Sequence, residues 1–210
     1  MAASDGTPIA ASLRRVLHVG CGAADLRQLP QGFQTGWSEL RLDINPLVRP
    51  DVVGTIVDLS AVPSGSVEAV YSSHNIEHVF AHEVPVALRE FRRVLGPEGM
   101  AVITCPDLQA LGAALAAGDL DVPLYHSPSG PISPIDVLYG HRASIAGGDV
   151  FMAHRTGFTL DSLITACQQA GFPAVGGYRV PQRYRLWVVA AVGTRTKPEM
   201  EALVRQYTAS

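Results

Sequence analysis

Short apolar runs, each closing on a glycine, proline or acidic residue, alternate along this chain with stretches of helical period. Arg15-Val16-Leu17-His18-Val19-Gly20 reads as a buried strand, and Ala23-Ala24-Asp25-Leu26 as a short helix start. Trp37 to Ile44, Asp51 to Val57 and Val67 to Ser72 are the next strands, the first stopped by Pro46. Val84, Ala87, Leu88, Phe91, Val94 and Leu95 recur at the three-and-four spacing of one helix face, ended by Gly96-Pro97. Met100 to Thr104 is a fifth strand and Asp107 to Ala117 a helix.

From Gly118 to Ala153 the period is lost among Pro, Gly, Ser, His and Tyr, and the spacing predicts a long functional loop or lid. Thr159 is placed as the N-cap of a helix carrying Leu160, Leu163, Ile164 and Cys167 and ending at Gly171. Ala174 to Val180 and Arg185 to Val192 are too close for a helical crossover, so they form an antiparallel hairpin. A short helix follows Pro198. Strands alternating with helices predict an α/β Rossmann-like, doubly wound, mostly parallel seven-stranded sheet with that C-terminal hairpin, as one domain over residues 1–210.

Composition narrows the function classes. At 210 residues, 47% hydrophobic and 17% charged, the chain has enough apolar residues for a core and does not resemble a disordered one. A net charge of −3 gives no footprint for nucleic acid, and no apolar run is long enough for a bilayer, so neither is an expected partner. Three cysteines without a CxxC pair point to a reducing compartment. Met1 to Ser12 lacks the apolar core of a signal peptide, and a cytoplasmic protein is expected.

In open α/β sheets, ligands sit at the carboxyl ends of the strands. Gly20 and Gly22 follow the first strand, where they allow a sharp turn and close approach to a ligand. Asp43 ends the second strand, where a carboxylate can accept from ribose hydroxyls. Asp58 and Leu59 close the third, suited to an adenine edge. Together they describe an adenosine site. A dinucleotide would put its diphosphate at the first helix N-terminus, where Asp25 replaces the last glycine of GxGxxG and would repel it. A phosphate-free, cationic ligand such as S-adenosylmethionine (SAM) tolerates nearby acids.

Val16 to Gly22 resembles the first motif of class I SAM-dependent methyltransferases. Gly36-Trp37 with Leu42-Asp43-Ile44 is similar to the second-strand segment of a bacterial small-molecule branch of that superfamily, and Ser72 to His78 to its signature after the fourth strand. Glu90, Arg93 to Pro97 and Gly99 resemble its stretch before the fifth strand. Cys105 to Leu108, His154, Phe158-Thr159 and Ala170 to Phe172 resemble later elements. The resemblance implies SAM as cofactor, with S-adenosylhomocysteine (SAH) as product. It implies contacts from His18, Gly20, Cys21 and Gly22, ribose bonds to Asp43, adenine against Ile44, Asp58 and Leu59, and Ser73 and His74 beside the methionine part and methyl group. The implied acceptor is a small molecule, glycan or natural-product intermediate.

Methyl transfer needs alignment and exclusion of water, and a hydroxyl acceptor also benefits from a base. His74, at the ligand end of the sheet, is the first candidate, followed by His154, with Asp107 as a carboxylate alternative. Tyr125, His126, Tyr139 and His141 are expected to line the acceptor pocket. His74, His78 and His82 stand at i, i+4 and i+8, but the segment begins in a loop, so no metal is expected. Transfer to oxygen or nitrogen is the leading expectation; a non-catalytic SAM-binding or partner-binding module on the same fold is the alternative, and an NAD-linked oxidoreductase the third.

Overall fold

The computed structural model describes residues 13–118, 120–127 and 129–209. The expectation for Met1 to Ser12 falls outside them. The main sheet contains β1 (Arg14–Val19), β2 (Trp37–Asp43), β3 (Val52–Val53), β4 (Val67–Ser73), β5 (Leu95–Pro106), β8 (Ala174–Val180) and β9 (Arg185–Ala191). Its order is β3-β2-β1-β4-β5-β9-β8, parallel except for β9, which runs antiparallel to both β5 and β8. The predicted fold class and hairpin are therefore present. The chain leaves β1 toward β2 and β3 on one side and returns to β4 and β5 on the other, which puts a topological switch point between β1 and β4.

Strand alternation builds two cores. Leu17, Val19, Ile103, Cys105, Val188 and Ala190 face α1 (Val84–Val94) and α5 (Leu160–Gln169). Val16, Tyr71, Val102, Trp187 and Val189 face the other side, against Met200 and Tyr207 of α6 (Lys197–Thr208). Helix α1 buries Val84, Ala87, Leu88, Phe91 and Val94, the predicted stripe. It stops one residue earlier than expected: Leu95 is already extended and pairs with Val67, so β5 begins before Gly96-Pro97.

Three other expectations are corrected. After β1 the chain makes two 3-10 turns, Leu26–Gln28 and Gln31–Phe33, in place of a helix beginning at Ala23. Asp25 caps the first, and Pro30 and Gly32 oppose helix propagation. Phe33 packs instead with Trp37, Tyr71 and Tyr207. The third strand is only Val52–Val53. At Gly54 the chain turns, its N–H donating to Asp43 O, and Thr55 and Asp58 form an isolated bridge that drives Ile56 into the core.

The segment 118–153 is not a structureless loop. It holds a hairpin of β6 (Tyr125–Ser127) and β7 (Gly130–Ile132), then α3 (Pro134–Tyr139) and α4 (Arg142–Ala146). Ile132 and Val137 pack on Leu111 of α2 (Leu108–Ala116), and Arg142 pairs with Asp136 at 2.9 Å. Each element is too short for its period to show in the sequence.

Thr159 caps α5 as expected, its Oγ1 accepting from Ser162 N–H while Ser162 Oγ accepts from Thr159 N–H. Thr159→Ala should cost about 1 kcal/mol in a urea unfolding titration; an unchanged midpoint would remove that cap from the account.

Candidate active site

A cleft of about 280 Å³ opens at the carboxyl ends of β1, β2 and β4, near the lower end of the size range of small-molecule sites. Gly20 and Gly22, with φ of +62° and +53°, carry the chain across its floor. A Cβ at Gly20 would lie 2.5 Å from Asn75 Cγ, so only glycine fits there. A Cβ at Gly22 would meet nothing within 4 Å, which leaves space above the loop. Asp43 fixes this turn: Oδ2 accepts from Gly22 N–H at 2.7 Å and Oδ1 from Asn45 N–H at 2.8 Å. Arg41 holds the loop from below through the carbonyls of Gly22 and Ala24.

Ile44, Val48, Ile56 and Val57 supply an apolar wall beside Asp43. On the opposite side stand His74, Asn75 and His78 from the segment after β4, with Glu83, Asp149, Phe151, Met152 and Arg155. Three carboxylates, Asp43, Glu83 and Asp149, face one guanidinium, Arg155, which favours a cationic ligand over a diphosphate. Asp25 lies outside this lining. It pairs with Arg27 at 2.6 Å, which, through that hydrogen bond, lowers its carboxyl to about 2.

His74 adopts a left-handed backbone, φ +48°, held by its N–H donating to Thr104 O at 2.8 Å. Such a conformation is uncommon outside glycine. It turns the ring into the cleft, with Nδ1 3.3 Å from Oε1 of Glu77. Glu77 is 1% exposed. Burial works against its charge, yet the neighbouring His74, His78 and His154 hold its carboxyl below the ordinary glutamate value.

The expected site residues thus divide. Gly20, Gly22, Asp43, Ile44 and His74 meet in one cleft. His18 does not line it: strand alternation turns its ring to the other face, where Nδ1 contacts Glu39 at 2.7 Å and the ring packs on Tyr71. Cys21 is buried, and burial raises its thiol. Ser73 lies outside the lining. Because β3 ends early, the wall is made by Gly54 to Val57; Asp58 faces solvent and accepts from Ser60 N–H, and Leu59 is in the core.

Asp107 is fully buried as the N-cap of α2 and the partner of Arg179 at 2.6 Å, away from the cleft. His154 stands behind the wall, with Nδ1 against Val137 O and its ring edge-on to His78; burial lowers its pKa. Tyr125, His126, Tyr139 and His141 do not line the cleft: the first three are exposed and His141 contacts Ser144 Oγ. The segment 118–153, an insert between α2 and α5, reaches the cleft through Asp149, Phe151 and Met152 instead. Their only sequence signal was their position at the end of the insert. Asn75, Glu83 and Arg155 lay in or near segments already singled out, but nothing in their spacing pointed into the cleft.

A larger groove, of about 770 Å³, runs between β8 and α6 at the far edge of the sheet, with none of these groups. No described helix is long and apolar enough to cross a membrane.

Residues 17–103 match the family described as "Methyltransferase domain". No curated protein matches the chain. Among solved structures, it is similar to a SAM-dependent methyltransferase from Archaeoglobus fulgidus, at 15% identity, 85% of this chain, 86% of the other and a TM-score of 0.57. A SAM-dependent methyltransferase from Methanosarcina mazei gives 15% identity, 88% and 94% coverage and 0.57. The 1,6-didemethyltoxoflavin-N1-methyltransferase of Burkholderia thailandensis, solved with 1,6-didemethyltoxoflavin and SAH bound, gives 16% identity, 87% and 72% coverage and 0.51.

Proposed function

We propose that this chain is a SAM-dependent methyltransferase of the class I superfamily and that it carries a methyl group to an oxygen or nitrogen of a small molecule, glycan or natural-product intermediate. The observation that carries this reading is one cleft holding both the Asp43-braced glycine loop and the His74 ring. The residues present fit the cofactor. The space above Gly22 would take its methionine and ribose parts, Asp43 would accept from the ribose hydroxyls, and Ile44 with Val57 would flank the adenine. Both Asp43 oxygens keep a free lone pair for this after bonding the loop. The excess of carboxylates suits a sulfonium.

Bound there, SAM supplies a methyl group already activated by its sulfonium. The chain's own work is to align the acceptor, exclude water and receive a proton. His74 presents Nδ1 to Glu77, which leaves Nε2 to take the proton of an acceptor hydroxyl or amine. Phe151, Met152 and Arg155 line the same cleft, where they would flank a bound acceptor. The three cysteines, all free and buried, support a reducing, cytoplasmic setting.

The test is incubation with methyl-labelled SAM and a panel of small hydroxyl and amine compounds, read by mass spectrometry. O- or N-methylated product with equimolar SAH is the expected result. Label appearing only on carbon would contradict the acceptor assignment. SAM bound without turnover across the panel would favour a non-catalytic module.

A further inference from the structure

Arg155 is the one arginine or lysine in the cleft lining, among the described residues. Elsewhere Arg27, Arg93, Arg142, Arg179 and Arg195 are each paired with a carboxylate. Arg155 is not. Glu83 and Asp149 share its lining, yet among the described residues neither they nor any other carboxylate pairs with it. Glu83 Oε2 instead accepts from Phe80 N–H at 2.8 Å.

A loose surface arginine would need no explanation, but this one is held in two ways. Its backbone N–H donates to Glu77 O at 2.8 Å. Its guanidinium carbon stands 4.8 Å from the centre of the Phe80 ring, which itself lies nearly parallel to His82 with ring centres 5.8 Å apart. A guanidinium stacked on an aromatic ring uses its face and leaves the N–H groups at its edge free. Those in-plane donors match a carboxylate, which they bind through two parallel hydrogen bonds. A single guanidinium also suits a single negative charge, because Asp43, Glu83 and Asp149 in the same lining oppose a phosphate dianion.

We propose that Arg155 selects the acceptor: the methylated small molecule carries a carboxylate, which Arg155 receives, and an apolar body, which lies against Phe151 and Met152. This rests on the methyl-transfer reading and narrows its acceptor class. Phe151 is 46% exposed beside the cleft, a surface that such a body covers. Glu77 ties the two ends of the arrangement together. Its Oε1 faces His74 Nδ1 at 3.3 Å, and its carbonyl oxygen receives Arg155 N–H. A carboxylate seated on Arg155 therefore fixes the acceptor relative to the His74 ring, which takes the proton of its hydroxyl or amine.

The test measures binding to the full-length chain. SAH is titrated first; its failure to bind folded protein would count against the methyl-transfer reading itself. The SAH-saturated protein is then titrated with hexanoate, benzoate and phenylacetate, each against its primary amide, with phenyl phosphate as a dianionic probe, followed by ligand-observed NMR. At least one acid should bind about tenfold or more tighter than its amide, and tighter than phenyl phosphate. Arg155→Met, which keeps an unbranched apolar stem, should lose that preference while holding SAH affinity within about threefold of the parent. Arg183→Met, which removes an exposed arginine outside the cleft lining, should bind like the parent. With SAH bound, four results would each overturn the assignment and leave methyl transfer standing: no acid preferred over its amide, phenyl phosphate preferred over every acid, the preference kept in Arg155→Met, or the preference lost equally in Arg183→Met. SAH affinity falling in Arg155→Met as far as acid affinity would overturn it too, by giving the guanidinium to the cofactor.

Discussion

Replacing His74 with alanine is expected to lower turnover by about 100- to 1,000-fold, with SAH affinity staying within about threefold, the scale of a lost general base. The ring sits at the open face of the cleft and is backed by the buried Glu77 carboxylate. The backbone at this position is left-handed for any residue, and the N–H bond to Thr104 O does not depend on the side chain. Alanine removes the imidazole but also takes one partner from the buried Glu77 carboxylate, so circular dichroism must show the variant folded before turnover is compared. The effect should be concentrated in kcat, because a proton acceptor acts in the transition state more than in binding. His74→Gln, which can hydrogen-bond but not take a proton, should stay near the alanine value. Full turnover in either variant would exclude His74 as the base.

The second large effect is expected at Asp43. Asp43→Ala should weaken SAH binding by about 1–3 kcal/mol, roughly five- to 150-fold, through lost charged hydrogen bonds. Two losses add here. The ribose loses its acceptor, and the glycine loop loses the carboxylate that ties Gly22 N–H and Asn45 N–H together. Asp43→Asn keeps one oxygen of similar shape, so its loss should be smaller than alanine's. Near-ultraviolet circular dichroism distinguishes a disordered loop from a missing ligand contact. A folded Asp43→Ala protein with parental SAH affinity would sink the ribose assignment.

How much of this was legible in the sequence depended on how far each feature relied on local pattern. The parallel strands, the α1 stripe, the Thr159 cap and the closing hairpin follow from periodicity and capping that few neighbours can override. Gly20, Gly22 and Asp43 were legible for the same reason: a strand end followed by glycine, and a strand end occupied by a carboxylate, have a fixed place in this topology. The early turn at Gly54 was not legible. An edge strand with one neighbour gives way to a local Thr55–Asp58 turn, which moves the wall from Asp58 and Leu59 to Gly54 through Val57.

The insert was the least legible part. Its hairpin and helices are too short to print a period, and their packing on Leu111 depends on residues far apart in sequence. So Tyr125, His126, Tyr139 and His141 looked like pocket residues by composition, while Asp149, Phe151 and Met152 reach the cleft by position. His18 shows the opposite case. Its face was readable from strand alternation alone, because Leu17 and Val19 on either side of it belong to the core that faces α1 and α5.

The central claim is that the cleft at β1, β2 and β4 is a SAM site. Calorimetric titration of the full-length chain with SAH, with NAD as the control, tests it most directly. Micromolar binding of SAH at one site per chain, with no heat from NAD, is the predicted result. Binding of NAD, or no binding of SAH to folded protein, would contradict it.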